Sequence, residues 1–163
     1  MINKELDKID IGILNLLQKD ATITHKAIAH ILNISPTPVH VRVKRLEDEG
    51  YIKRYVAIID HKKVNRGLIA YTQVQVKPHA EENLIAFLDE VIKLDEVLEC
   101  SHLTGKFDFL LKIAVRDMDE YNQLLRNKLA RLPKVDNMES FFVMSQAKQE
   151  TGINLGKYLP RFI

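Results

Sequence analysis

At 163 residues, 46% of them hydrophobic, the chain has the length of one large or two small domains and enough apolar content to fill them, which excludes a disordered chain. No run approaches the ~18 consecutive apolar residues of a spanning helix. The charged opening Met1-Ile2-Asn3-Lys4-Glu5 lacks the apolar core of a signal peptide, and the single cysteine excludes an internal disulfide framework, so a cytoplasmic protein without membrane contact is expected.

Net charge is only +2, unevenly placed: residues 1–66 carry 12 Lys and Arg against 8 Asp and Glu, residues 67–163 carry 12 against 14. Leu6, Ile9, Ile13, Leu14 and Leu17 share one helical face, which predicts a first helix over residues 7–19. Thr24 is placed to cap a second helix with Ile28, Ile31 and Leu32 on its apolar face and Ala27 and Ala29 allowing close packing. Asn33 tolerates positive φ and so suits a tight turn. Ser35 then reads as an N-cap whose hydroxyl accepts a first-turn amide, with Pro36 at the first helical position and Pro38 still inside the first turn. Val39, Val43 and Leu46 form the buried face of this third helix, His40, Arg42, Lys44 and Arg45 point elsewhere, and Gly50 stops it. Three helices with a short turn before the basic one make a helix-turn-helix.

From Tyr51 to Asp60 the β-formers Tyr51, Ile52, Tyr55, Val56, Ile58 and Ile59 read as a strand or linker. Residues 69–76 alternate as a strand. Leu84, Phe87, Leu88, Val91 and Ile92 make a helix face, and residues 97–103 and 107–115 read as a hairpin about Thr104-Gly105-Lys106. Asp117 caps a helix bearing Tyr121, Leu124, Leu125 and Leu129, and residues 140–144 form a last strand. The order β-α-β-β-α-β predicts a ferredoxin-like unit, hence an α+β fold. The expected domains are residues 1–60, a helix-turn-helix with a β linker, and 61–163, the ferredoxin-like part with a C-terminal tail. That tail, from about Gly152, is expected to depend on a partner chain for order.

Leu6-Asp7-Lys8-Ile9-Asp10, Leu32 to Arg45, Leu103-Thr104-Gly105-Lys106-Phe107-Asp108-Phe109 and Leu132-Pro133, in this order, resemble the Lrp/AsnC (feast/famine) family of prokaryotic transcription regulators over nearly the whole chain. The resemblance implies a winged-type helix-turn-helix joined by a β linker to an effector and oligomerisation domain. It further implies a homodimer through the second domain, assembled into an octamer or another ring of dimers, with an amino-acid effector bound between dimers and a nucleoid-associated role. Asn33 stands where glycine is usual in the family.

For double-stranded DNA, phosphate contacts supply affinity and base edges supply sequence choice. Thr37, Pro38, His40, Val41 and Arg42 are expected near the groove, with Arg42 the base reader. Ser35, Lys44, Arg45 and Lys53 are expected nearer the backbone. Arg42, Lys44 and Arg45 could instead pair with Glu47, Asp48 and Glu49. The hairpin taken alone is an ordinary turn in which Gly105 permits close approach and Asp108 can meet an ammonium. The resemblance makes it the effector loop, with Leu103, Thr104, Gly105, Phe107 and Asp108 lining the pocket. Met118, Phe141, Phe142 and Val143 would close the pocket or relay its state. Lys106 departs from the acidic or small residue frequent there.

Catalytic signatures are poor. The six histidines are scattered, no phosphate-cradling glycine loop occurs, Cys100 reads as a small buried hydrophobe, and neither cofactor nor metal is expected. Siroheme decarboxylases resemble the same fold family and give the alternative of an enzyme on a tetrapyrrole. A DNA-organising protein of low sequence preference is a third reading.

Overall fold

Asp7 and Asp10, three residues apart, start the first helix. In the computed structural model, which describes residues 5–158, the Asp7 carboxylate accepts the N–H groups of Ile9 and Asp10, each at 2.9 Å. The Asp10 carboxylate accepts the Asp7 N–H at 3.1 Å in return. This reciprocal capping box satisfies orphan donors of helix α1, Lys8–Lys19. Thr24 Oγ1 accepts the Ala27 N–H and caps α2, His25–Leu32. Asn33 ends α2 in the left-handed region (φ 53°, ψ 48°), as its side chain permits, and the chain turns directly into α3, Pro36–Asp48. Gly50, at φ +77°, stands just beyond that helix.

The three helices enclose Ile13, Leu14, Ile28, Ala29, Val39, Val43 and Leu46. Full burial of a Leu or Ile side chain contributes about 1.5–3 kcal/mol, so Ile13, Ile28 and Leu46 dominate this core. Ile31, expected on the same face, is exposed instead, because α2 is only two turns long and its inward arc is filled by Ile28, Ala29 and Leu32. Residues 53–60 form neither strand nor helix, which leaves them a linker.

Two compact units result. One comprises the chain up to Ile58 together with the segment from Lys148; the other is Ile59–Ala147. The expected division at 60/61 falls close to the first crossing, whereas the C-terminal segment groups with the helices and not with the sheet unit. Gln18 explains why: its amide donates to the Ile153 carbonyl at 3.2 Å and accepts the Ile153 N–H at 2.8 Å. Leu155, opening the short helix α6 (Leu155–Tyr158), packs on the helical core. Residues Ile153 and Leu155 of the tail thus contact the chain's own helical unit. Gln18→Ala should cost about 1 kcal/mol, since each exposed amide–backbone bond contributes ~0.5–1.5 kcal/mol at most. Protease cleavage within residues 148–154 should accelerate correspondingly, and an unchanged cleavage rate would mean that Leu155 alone holds the tail.

The sheet unit contains β1 (Leu68–Val76), α4 (Glu81–Val91), β2 (Val97–His102), β3 (Phe109–Val115), α5 (Met118–Asn127), a 3₁₀ turn (Leu129–Arg131) and β4 (Val135–Phe142). Strand order is β2-β3-β1-β4 with every pair antiparallel, the ferredoxin-like arrangement. Ala70, Val74 and Val76 of β1 and Phe109, Leu111 and Ile113 of β3 face Phe87, Val91, Tyr121, Leu124 and Leu129. Both helices therefore cover one face. Within that covered side, the hydroxyls of Thr72, Tyr121 and Ser140 satisfy one another, with Tyr121 2.8 Å from Thr72 and 2.6 Å from Ser140.

Three expectations change. β4 begins at Val135, not at residue 140: Asp136, Asn137 and Glu139 look like a loop, yet an edge strand with one uncovered face tolerates them. β3 begins at Phe109, because Asp108 is diverted to bind the end of β1. Ile92 lies beyond the last turn of α4 and is exposed. Cys100 packs on the sheet core, and burial pushes its thiol pKa up. Among the described residues no group of three metal-ligating side chains occurs, and no helix is long and apolar enough to cross a membrane.

Candidate functional site

Helix α3 owes its position to its buried stripe, Val39, Val43 and Leu46. At about 100° per residue, Thr37, Val41 and Lys44 stand on the opposite side at i, i+4 and i+7. All three are exposed, as are Ser35, Pro38, His40 and Lys53. Ser35 occupies the N-cap position, but its side chain makes no capping bond. An N-cap hydroxyl bonds the second or third helical N–H; Pro38 at the third position has none, which leaves only that of Thr37, and Ser35 does not take it. The expected cap is therefore absent, and the Ser35 hydroxyl remains available to another group.

The two arginines of α3 are paired with carboxylates at the start of the chain. Arg42 Nη1 lies 2.7 Å from both Asp7 Oδ2 and Asp10 Oδ1. Arg45 Nη2 approaches Asp10 Oδ2 to 2.6 Å, an ionic contact whose angle misses hydrogen-bond alignment. Asp10 is 1% exposed, so this cluster is the buried tie between α1 and α3. Stripping one partner from a buried pair costs about 3–5 kcal/mol. A bidentate arginine–guanine contact gains about 1–3 kcal/mol. In the free chain, Arg42 and Arg45 are thus engaged by α1, Arg42 remaining partly exposed. The pairing with Glu47, Asp48 and Glu49 does not occur for them; Lys44 alone does this, with Asp48 at 2.7 Å.

Electrostatics follow the geometry. Burial would raise the Asp7 pKa, but the Asp10 N–H and the Arg42 guanidinium hold it below the usual carboxylate range. The Asp10 hydrogen bond raises Arg42, and Asp48 raises Lys44. Burial and the nearby Glu47 push Tyr55 up to about 12, its hydroxyl donating to that carboxylate at 2.9 Å. His40 and His25 rings lie 5.4 Å apart at the entrance of α2 and α3.

The second site is the segment from Leu103 to Asp108. Gly105 has φ +117°, a value that side-chain-bearing residues rarely adopt. Thr104, Gly105 and Lys106 are exposed, Leu103 half-buried, Phe107 and Asp108 buried. The segment is held by four bonds: Leu103 N–H to Asp108 O, Asp108 N–H to Val74 O, Val76 N–H to Asp108 Oδ2 at 2.7 Å, and Gln75 Nε2 to Lys106 O at 2.9 Å. Asp108 Oδ1 meets His79 Nδ1 at 2.9 Å. Both carboxylate oxygens expected to meet an ammonium are thus engaged by the protein. Gln75 and His79 escaped the sequence reading because nothing local marks either; Asp10 carried a signal, its three-residue spacing from Asp7.

Met118, Phe141, Phe142 and Val143 lie elsewhere. Phe142 pairs with Ala70, and Val143 donates to Ile69 O, whereas Asp108 bonds Val74 and Val76. Phe141 pairs with Tyr71 and Phe142 with Ala70, so three to six residues of strand, about 10–20 Å at about 3.3 Å each, separate them from Asp108 at Val74 and Val76. A single chain does not bring them together.

A model described as Lrp/AsnC ligand binding domain matches residues 69–153, and one described as winged helix-turn-helix DNA-binding matches residues 6–53. The chain is 38% identical over 146 residues to the leucine-responsive regulatory proteins of Klebsiella pneumoniae and Escherichia coli, covering 90% of this chain and 89% of each relative. A transcriptional regulator from Neisseria meningitidis, solved as an L-Met complex, superposes with a TM-score of 0.90 at 34% identity, covering 95% of this chain and all of that one. An AsnC family transcriptional regulator from Agrobacterium tumefaciens gives 0.88 at 30% identity, covering 94% and 100%.

Proposed function

Because the chain belongs to the Lrp/AsnC family of transcription regulators, we propose that it binds double-stranded DNA sequence-specifically through α3 and responds to an amino acid. The carrying observation is the outward stripe of Thr37, Val41 and Lys44 on a helix whose other side is locked to α1. Thr37, Pro38, His40 and Val41 enter the groove. Ser35, Lys44 and Lys53 lie toward phosphates, the Ser35 hydroxyl being free of its cap. Arg42 and Arg45 act indirectly, by fixing the helix.

The acting species is a homodimer through the sheet unit, assembled further into a ring. Both helices of that unit cover one sheet face, while Tyr71, Leu110 and Phe141 stand on the other with no element of the unit packed on them. A two-fold pair would place two α3 helices about one DNA turn apart, so the operator is roughly palindromic. The effector sits where the 103–108 segment of one copy meets the Met118–Phe142 end of another, because a single chain separates them. Such an effector acts by binding one assembly more tightly than another. An amino-acid effector is supported by the L-Met complex of the Neisseria relative and by the leucine-responsive name of the enterobacterial ones. A role on the nucleoid follows from this activity.

The test is footprinting of the full chain on the DNA upstream of its own gene at ~150 mM salt with competitor DNA, since affinities without a stated salt cannot be compared. A discrete footprint changed by one member of an amino-acid panel is expected. Equal binding to all sequences would leave a DNA-organising protein. Absent binding together with a Soret band on adding siroheme would leave the tetrapyrrole enzyme.

A further inference from the structure

We infer that α3 reads thymine methyl groups, with Val41 and the Thr37 methyl as the specificity-determining contacts, so that the contacted base pairs are A·T. The inference rests on α3 being the DNA-reading helix and adds what it reads. The long polar side chains of α3 have partners within the chain, Arg42 and Arg45 with Asp7 and Asp10 and Lys44 in an exposed pair with Asp48, while the Thr37 hydroxyl and His40 stay exposed. What projects at the centre of the outward stripe is apolar. Val41 is 61% exposed on a helix whose other valines are buried. Thr37 adds a methyl one turn before it, and the Pro38 ring stands beside both. With Arg42 and Arg45 these residues border a shallow concavity of about 360 Å³.

The major groove displays donors, acceptors and one apolar feature, the C5 methyl of thymine, and an apolar side chain can match only the last. An exposed valine at this position therefore has a partner of defined chemistry. The alternative, that Val41 is an incidental surface residue, leaves base reading to the Thr37 hydroxyl and His40 at the edges of a stripe whose centre is apolar.

The full chain is titrated with its footprinted upstream DNA, prepared once with thymine and once with uracil throughout the footprint, and Val41→Ala is titrated with both. Loss of one buried methyl contact corresponds to about fourfold weaker binding, compounding for two heads. The wild type should lose at least that on uracil DNA. Val41→Ala should lose a similar factor on thymine DNA and little more on uracil DNA, because both changes remove one contact. Its thermal unfolding should match the wild type, Val41 being exposed. Equal wild-type affinity for both DNAs, or losses that multiply independently, would overturn methyl reading while leaving α3 as the DNA helix. No sequence-specific binding to either DNA would overturn the inference together with the reading beneath it.

Discussion

Asp10→Ala should destabilise the helical unit by about 3–5 kcal/mol, the cost of leaving buried charge unpaired, and abolish DNA binding by loosening α3. Asp10 is 1% exposed and holds three elements of one arrangement: the Asp7 N–H at the start of α1, Arg42 and Arg45. Removing its carboxylate takes away one bond of the capping box and strands Arg45, whose side chain is largely buried. Arg42→Ala should be milder, because Asp10 then keeps Arg45 and the Asp7 N–H as partners. Urea unfolding of the full chain, followed by circular dichroism, checks this: the transition of the helical unit moves to lower urea and that of the sheet unit stays. A shift equivalent to less than about 1 kcal/mol would place the pair in the class of surface bridges. DNA binding provides the second reading. If Arg42 held the helix without touching bases, Arg42→Ala would weaken all DNA sequences in proportion to lost stability. If it read guanine, one base position would lose its preference.

What the sequence disclosed and what it hid divide along a physical line. Capping chemistry, apolar periodicity and turn preferences are local, so α1 was legible from the Leu6, Ile9, Ile13, Leu14 and Leu17 face, and α2 and α3 from Thr24, Asn33 and Pro36. The β-α-β-β-α-β order followed from alternation in residues 69–76 and 107–115. Interactions between distant positions left no such trace. Arg42 finds Asp7 across 35 positions of sequence and Gln18 finds Ile153 across 135. Arg42 on a basic helix therefore looked like a DNA reader, and a glycine-containing tail looked loose. The Ser35 cap had a local sign against it: Pro38, at the third helical position, had already removed one of the two N–H groups it could accept. β4 was half-missed because an edge strand with an uncovered face carries Asp136, Asn137 and Glu139 without penalty, and periodicity cannot distinguish that from a loop.

Effector binding should be lost in Thr104→Arg and in Met118→Arg, and regained when the two variants are co-assembled. Both positions are exposed, so the added side chains obstruct without disturbing a core. The two groups lie toward opposite ends of β1, about 10–20 Å apart by strand rise, so a pocket that closes tightly on both draws on two copies. In an equal mixture, a complete site needs the hairpin of a Met118→Arg chain facing the far end of a Thr104→Arg chain, which occurs at about one quarter of heterologous interfaces. Calorimetric titration with the amino acid identified by footprinting should then show no binding for either variant alone and about one quarter of the wild-type sites for the mixture, at wild-type affinity. Unmixed retention of binding by Met118→Arg would confine the pocket to the 103–108 segment. A mixture that regains nothing would mean that one chain supplies both walls, which the register of β1 with β3 and β4 opposes. The same geometry makes effector occupancy and assembly two aspects of one equilibrium: a ligand held between copies must favour the arrangement that closes around it.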